Sequence, residues 1–296
     1  MDAGLEHKSH LFGIAYRMLG SVADAEDAVQ ETFLRWHRAC TAGETLMSPK
    51  AWLSAVVIRI CIDQLRSAHA KRETYVGPWL PEPLVAVADP DPGPADRAAL
   101  ADSLSTAFLI VLETLNPKER AVFLLHDVFA YDYAEIAAVV GESPTYCRQL
   151  AHRARAHVAA RRPRFPTTAD EQERLADRFL RACLDGDMSA LVATLAEDVI
   201  IWSDGGGNVP AARKPVIGRQ KAATFLIGLI KLMPAGTEVQ RALVNGQPGL
   251  ILSVDGRPFD VVSFDFDGGA IRAIYAVVNP DKLGGVGAEP SAHAGR

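Results

Sequence analysis

Six arginines, Arg148, Arg153, Arg155, Arg161, Arg162 and Arg164, crowd residues 142–165 against the single acid Glu142. Guanidinium groups at that density suit phosphate oxygens and mark an electrostatic footprint for nucleic acid. The segment that leads into them, YAEIAAVVGESPTYCR at 133–148, has the spacing of a helix-turn-helix. Ala137 is small where two helices would touch, Gly141 allows the positive φ of a tight turn, and Cys147 supplies the apolar anchor of the second helix. With the start of that helix in a major groove, Ser143, Thr145, Arg148, Gln149 and His152 could reach base edges, while Arg153 and Arg155 reach phosphates. The plainer alternative is a helical hairpin with a solvated basic face, and Glu142 would sit close to phosphates.

After residue 157 the only histidine is His293, so a His-based acid/base pair is excluded there, although a carboxylate could act if burial raised its pKa. The four cysteines, Cys40, Cys61, Cys147 and Cys183, are at least 21 residues apart and carry no zinc spacing; they read as reduced, mostly buried side chains. No metal, cofactor or catalytic residue is expected.

The elements that must position these groups follow from periodicity. At 296 residues, with 49% apolar and 23% charged residues, the chain should form two or three soluble globular domains. It has no apolar run near the ~20 residues of a membrane span and no signal-peptide pattern at its start, which points to the cytoplasm. The formal charge of −5 is unlike a generic nucleic-acid binder, so the local arginine density matters more than the sum. Leu11, Ile14, Ala15, Met18 and Leu19 make one helical face. Ser21 then caps a second helix whose apolar surface is Ala28, Phe33, Leu34 and Trp36 and whose other face is Asp24, Asp27, Gln30, Glu31 and Arg35. Ser48-Pro49 opens a third helix, Lys50 to about Arg72, apolar in its middle with Arg59, Arg66, Lys71 and Arg72 as cations.

Residues 73–97 hold six prolines and read as an extended linker. At ~3.3–3.6 Å per residue it could reach about 80–90 Å, more than two turns of B-DNA at ~35 Å each. Four helices follow over 98–162. Beyond Pro163–Pro166 come two helices over 170–195, a third at Gly218–Leu232, and strands at Val199–Trp202, Glu238–Val244, Leu250–Val254, Pro258–Phe266 and Ala270–Val278. Turns at Asn245-Gly246, Asp255-Gly256 and Asp267-Gly268-Gly269 join them, giving an α+β domain over 168–284 and a disordered tail at 285–296.

Taken together these segments resemble the extracytoplasmic-function sigma factors. LFGIAYRMLGSVADAEDAVQETFLRW is similar to the polymerase-binding part of sigma region 2, SPKAWLSAVVIRICIDQLRS to its promoter-melting and minus-ten-reading part, and LNPKERAVFLLHDVF through RQLAHRARAHV to region 4. YVGPWLPEP at 75–83, DGGG at 204–207 and NPDKL at 279–283 resemble the SigJ-like group, whose C-terminal extension is a SnoaL-like α+β cone. The implied fold is multidomain: region 2 as a helical bundle over 1–72, region 4 with its helix-turn-helix over 98–162, and the cone.

The resemblance implies that Asp24, Asp27, Gln30, Glu31 and Arg35 dock on core RNA polymerase. It implies that the loop Ala39 to Met47 holds an extruded promoter base, with Arg59, Arg66, Lys71 and Arg72 along the melted strand and region 4 reading the duplex at minus thirty-five. It further implies regulation in cis by the extension, packed on the linker and on regions 2 and 4, with no obligatory separate anti-sigma protein. Trp79, Leu80 and Pro83 would supply apolar linker contacts, and Asp204, Gly205, Gly206, Gly207, Asn279, Pro280, Asp281, Lys282 and Leu283 would line the facing loops. Gly205 to Gly207 let backbone approach closely, and Asp281-Lys282 offers a charge pair that could shift a population. Two other readings compete: a helix-turn-helix regulator whose cone senses a small ligand, and an enzyme of the SnoaL-like superfamily, for which the resemblance implies Trp202, Asp204, Asp265 and Tyr275 as the candidate acid/base and pocket residues.

Overall fold

The computed structural model describes residues 5–43, 48–72, 75–86, 103–160 and 167–286. The chain divides into two compact units: Met1–Thr74 with Phe108–Arg162, and Tyr75–Ala107 with Pro163–Arg296.

In the first unit, α1 (Lys8–Leu19) buries Leu11, Ile14, Ala15, Met18 and Leu19. It stops where Gly20 takes φ +68° and returns its N–H to the Tyr16 carbonyl. Ser21 caps α2 (Val22–Thr41) by accepting the Asp24 N–H, and Ser48 does the same for Ala51 at the start of α3 (Pro49–Arg72). Leu53, Val57, Ile58, Cys61, Ile62 and Leu65 turn the apolar middle of α3 inward. Leu34 departs from its expected core position: it is 47% exposed, because it falls on the same helical face as Asp27, Gln30 and Glu31.

The same unit holds α4 (Thr106–Leu112, from Phe108 onward) and α5 (Pro117–Phe123), the latter opened by an Asn116/Glu119 capping box. A π-helical turn at Leu124–Val128 and a left-handed Ala130 (φ +57°) then swing the chain through Tyr131 into α6 (Tyr133–Val140). Asp132 caps α6, Gly141 ends it at φ +69°, and Ser143 caps α7 (Pro144–Ala159). Ala137 and Cys147 are buried where the two helices meet, as the motif requires.

The second unit pairs α8 (Ala169–Leu184), α9 (Met188–Thr194) and α10 (Arg219–Lys231) with a seven-stranded sheet. Its strands are β1 (Val85–Ala86), β2 (Leu195–Asp204), β3 (Val216–Ile217), β4 (Glu238–Val244), β5 (Gln247–Val254), β6 (Arg257–Asp267) and β7 (Ala270–Val277), in the order β1-β4-β5-β6-β7-β2-β3. Among the described residues, only β2 and β7 pair in parallel. Helices first and a meander after give the expected α+β domain. Three tight turns close the meander, with Asn245, Asp255 and their following glycines at positive φ. The short strands β1 and β3 were not legible as periods; each is two residues long and exists only through its partner.

Register assigns the two sheet faces. Val199, Ile201, Leu250, Leu252, Phe264, Phe266 and Ile274 pack with Leu175, Phe179, Leu191, Ala222 and Ala223 of the helices, and the Phe179 and Phe264 rings meet edge-on at 5.2 Å. Trp202, Ser263 and Tyr275 stand side by side on the opposite face, with Asp265 two residues along β6 from Ser263. The candidate acid/base residues therefore lie outside the space between sheet and helices. Asp265 is also bound to Arg272, whose Nε and Nη2 donate to its Oδ2 at 2.9 and 2.5 Å.

Asp260 does lie on the helix-side face, opposite Leu252, with its Oδ1 buried and lacking a hydrogen-bond donor among the described residues. Burial pushes its carboxyl up to about 7. A raised folded-state pKa binds extra protons below it, so this group favours the fold at low pH, and that contribution is lost as pH rises through 7. Asp260→Asn is therefore expected to raise stability at pH 8 by on the order of 1–3 kcal/mol and to leave it unchanged near pH 4, read from urea midpoints.

Candidate functional site

Two sites stand out, one in each unit. In the first unit the candidate DNA-reading residues gather on α7. Ser143, Thr145, Arg148, Gln149, His152, Arg153 and Arg155 are all exposed, while Cys147, Leu150, Ala151 and Ala154 alternate with them into the core. Ser143 is committed to capping, accepting the Tyr146 N–H at 3.2 Å. Arg148 lies over the Tyr133 ring, Arg153 pairs with Glu119, and Arg155 donates to Asp127 at 2.7 Å and to the Tyr133 hydroxyl. Arg153 and Arg155 keep 54% and 43% of their side chains exposed although Glu119 and Asp127 are largely covered, so both guanidiniums remain open to phosphates. Glu142 is taken up by Lys118, which removes most of its objection to a nearby phosphate. Tyr146, 39% exposed on the same helix, is an aromatic that the sequence pattern did not single out.

On α2, Asp24, Asp27, Gln30 and Arg35 are exposed and Glu31 is half-buried, with Arg35 donating to Glu31 at 2.8 Å. Exposed Leu34 adds an apolar side chain to this polar face. On α3, Arg66 is exposed beside Asp63. Arg59 is engaged instead: its Nε and Nη2 donate to the carbonyls of Val139 and Ala138 at 3.1 and 2.9 Å. The side chains of Lys71 and Arg72 and residues 44–47 of the loop after α2 lie outside the described residues.

The second unit fastens the linker segment 75–86. Its centre is Asp204, the last residue of β2 and 0% exposed. Oδ1 accepts the Tyr75 hydroxyl at 2.5 Å and the Gly206 N–H at 3.0 Å; Oδ2 accepts the Leu80 N–H at 2.8 Å and Lys282 Nζ at 2.7 Å. Four donors saturate this carboxylate, which is what a fully buried one requires. Lys282 also donates to the Leu80 carbonyl and lies 4.2 Å from the Trp79 ring centroid and 5.2 Å from that of Tyr75, a cation held by two aromatic faces. Burial first, and then the bond to Asp204, push the Tyr75 phenol above its ordinary value, so it stays a donor.

Asn279 closes the other side, donating to Tyr75 Oη at 3.0 Å while its Oδ1 accepts from Asn208 Nδ2 and the Asp281 N–H. The glycines make room. A Cβ on Gly206, which has φ +61°, would lie 2.4 Å from Asn279 Nδ2, and one on Gly207 would lie 3.2 Å from Val76. Downstream, Leu84 and Asn245 exchange hydrogen bonds and β1 adds an antiparallel edge to β4. Leu80 and Leu283 are buried hydrophobics, Pro83 is buried, and Pro280 opens the 3₁₀ turn Pro280–Lys282.

The clasp thus brings together Trp79, Leu80, Asp204, Gly206, Gly207, Asn279, Asp281 and Lys282 as a set. Asp281 differs from the expectation in its partner: Asn208 Nδ2 reaches it at 2.9 Å, and Lys282 goes to Asp204. Tyr75 and Asn208 were missed. Tyr75 opens the YVGPWLPEP segment, and an aromatic at the head of a Pro-rich stretch carries no sign of a partner 129 residues away.

A helix-turn-helix, a second helical bundle and a tethered α+β unit define a sigma-70-type initiation factor, and comparison with known proteins agrees. Sigma-70 region 2 matches residues 5–71 and sigma-70 region 4 matches residues 107–158. The chain belongs to the extracytoplasmic-function (ECF) RNA polymerase sigma factor family. It is 38% identical to the ECF RNA polymerase sigma factor SigJ of Mycobacterium tuberculosis over 94% of this chain and 91% of that protein. It is 32% identical to the probable ECF sigma factor SigI of the same species, over 96% and 94%. The crystal structure of M. tuberculosis SigJ superposes with a TM-score of 0.75 at 36% identity, covering 94% of this chain and 97% of that one. These similarities run far beyond residue 162, so the C-terminal unit is shared with those relatives. Members of the family are initiation factors, not enzymes. Among the described residues, no helix is long and apolar enough to cross a membrane.

Proposed function

We propose that the chain brings core RNA polymerase to specific promoters and that its C-terminal unit restrains initiation in cis by holding the region 2–region 4 linker. The bond-forming chemistry belongs to the polymerase. Region 2 would supply the polymerase contact through the α2 face centred on Leu34 and the strand contacts through Arg66, Lys71 and Arg72, with Arg59 once it is free. Region 4 would read the upstream element through the exposed face of α7. The observation that carries the regulatory part is the clasp, because it binds the connection between the two DNA-reading regions and leaves no polar group of Asp204 unsatisfied.

We infer regulation through the clasp rather than through a ligand between sheet and helices, because Phe179, Phe264 and Phe266 fill that space. Under this reading no separate anti-sigma protein is obligatory. The direct test is run-off transcription with purified core enzyme on cognate upstream regions; absence of any promoter-dependent transcript defeats the proposal. A gel shift separates it from a stand-alone regulator, which would bind duplex DNA tightly without polymerase. Arg148→Ala and Gln149→Ala are each expected to weaken promoter-dependent transcription about 10–100-fold and to relax base preference at one upstream position, measured on a library of promoter variants.

A further inference from the structure

One aromatic side chain holds two of the α7 arginines. Tyr133 is the first residue of α6, and the Arg148 guanidinium carbon lies 5.5 Å from its ring centroid. Arg155 Nη2 donates to the Tyr133 hydroxyl at 3.3 Å, while Arg155 Nε donates to Asp127 Oδ1 at 2.7 Å. Arg148 and Arg155 lie about two turns apart on α7, so they project from one side of it roughly 10 Å from each other along the axis. The ring is itself held in place. His126, in the π-helical turn Leu124–Val128, has its ring centroid 4.2 Å from that of Tyr133, and its Nδ1 donates to the Tyr131 carbonyl at 2.9 Å, which fixes the imidazole against the chain just before α6. Both arginines stay exposed while Tyr133 is half-buried.

The two contacts differ in what they leave available. A π face attracts a guanidinium without engaging its five N–H donors, and among the described residues Arg148 makes no hydrogen bond or ion pair. Its whole fork is therefore open to the paired O6 and N7 acceptors that guanine presents in the major groove. Arg155 has one donor on the Tyr133 hydroxyl and another on Asp127, which aims it but leaves fewer donors, and that suits a phosphate oxygen. An arginine already held in its bound direction loses less rotamer freedom on binding than one that swings free. We propose that Tyr133 is a positioning residue for recognition of the upstream element: its ring sets Arg148 toward the edge of a guanine, and its hydroxyl sets Arg155 toward a phosphate of the same element. The inference rests on α7 as the promoter-reading helix of a sigma factor.

The test transcribes a library of upstream-element variants with core polymerase and the full chain, carrying in turn Tyr133→Phe, Tyr133→Met, Arg148→Ala and the Tyr133→Met/Arg148→Ala pair. Tyr133→Phe keeps the ring and is expected to lower yield about 2–5-fold on all promoters alike, with every base preference intact. Tyr133→Met fills the space without a π face. It is expected to relax the preference for guanine about 2–5-fold at the one position where Arg148→Ala relaxes it, and nowhere else. The pair should relax that position no further than Arg148→Ala alone. If Tyr133→Met does not fold by circular dichroism, Tyr133→Leu takes its place for the ring, and Tyr133→Phe still decides the hydroxyl. A folded ring-less variant with its guanine preference intact overturns the role of the ring, and a Tyr133→Phe chain equal to the unsubstituted one overturns that of the hydroxyl. Relaxation at a position that Arg148→Ala leaves alone means that Tyr133 reads DNA itself, and overturns positioning altogether. No promoter-dependent transcript from the unsubstituted chain sinks the sigma-factor reading instead, and the same variants compared on duplex upstream DNA by gel shift then decide the role of Tyr133 by the same outcomes.

Discussion

An Asp204→Ala chain is expected to lose about 3–5 kcal/mol of stability in its C-terminal unit, because removing one partner of a buried pair leaves Lys282 charged, 12% exposed and without its carboxylate. The same change removes the acceptors of the Tyr75 hydroxyl and the Leu80 N–H, so the linker loses two of its fastenings at once. Hydrogen exchange at the Leu80 amide is expected to accelerate at least ~100-fold, the equivalent of ~3 kcal/mol. Regions 2 and 4 should keep their own melting transition. If the regulatory reading is right, transcription changes in the same variant. Unchanged transcription in both Asp204→Ala and Asn279→Ala would remove the clasp from regulation, whatever it does for stability.

Gly206→Ala should act on the same site by a different route. Gly206 sits at φ +61°, where an L side chain costs ~1–2 kcal/mol, and its new Cβ would fall 2.4 Å from Asn279 Nδ2 and 2.6 Å from Cγ. Asn279 is 3% exposed and bonded to Tyr75 and Asn208, so it has nowhere to go. Overpacking adds a further ~1–3 kcal/mol, for an expected loss near 3 kcal/mol by urea denaturation. Gly269→Ala is the internal control. Its φ of +80° is equally left-handed, but no atom lies within 4 Å of the added Cβ, so only the backbone cost of ~1–2 kcal/mol should appear. Equal losses at the two glycines would mean that the close approach to Asn279 contributes nothing.

Local signals carried most of the architecture. Ser21, Ser48, Asp132 and Ser143 each cap the helix their position announces, Gly141 makes the turn, and the Asn-Gly and Asp-Gly pairs close hairpins, because caps and turns depend on neighbours a few residues away. The clasp was legible as segments and not as contacts. YVGPWLPEP, DGGG and NPDKL pointed to the right loops, yet only the fold could show that Lys282 pairs with Asp204 rather than Asp281, or that Tyr75 completes the site. Arg59 is the instructive case. As one cation on an amphipathic helix it reads as a nucleic-acid contact, and its occupation by carbonyls 79 and 80 residues away leaves no trace in spacing. Leu34 erred in the other direction, since apolar character alone does not distinguish a core position from a docking surface.

The separation of Tyr75 from Asn279, 204 residues, also orders events in time. A ribosome adding about 5–20 residues per second delivers Asn279 and Lys282 roughly 10–40 s after Tyr75 has been made. Throughout that interval the nascent chain carries a complete region 2, then a complete region 4, joined by a tether that nothing yet holds. The clasp can therefore close only after both helical regions have been made, and any product that terminates before Asn279 lacks the groups that close it.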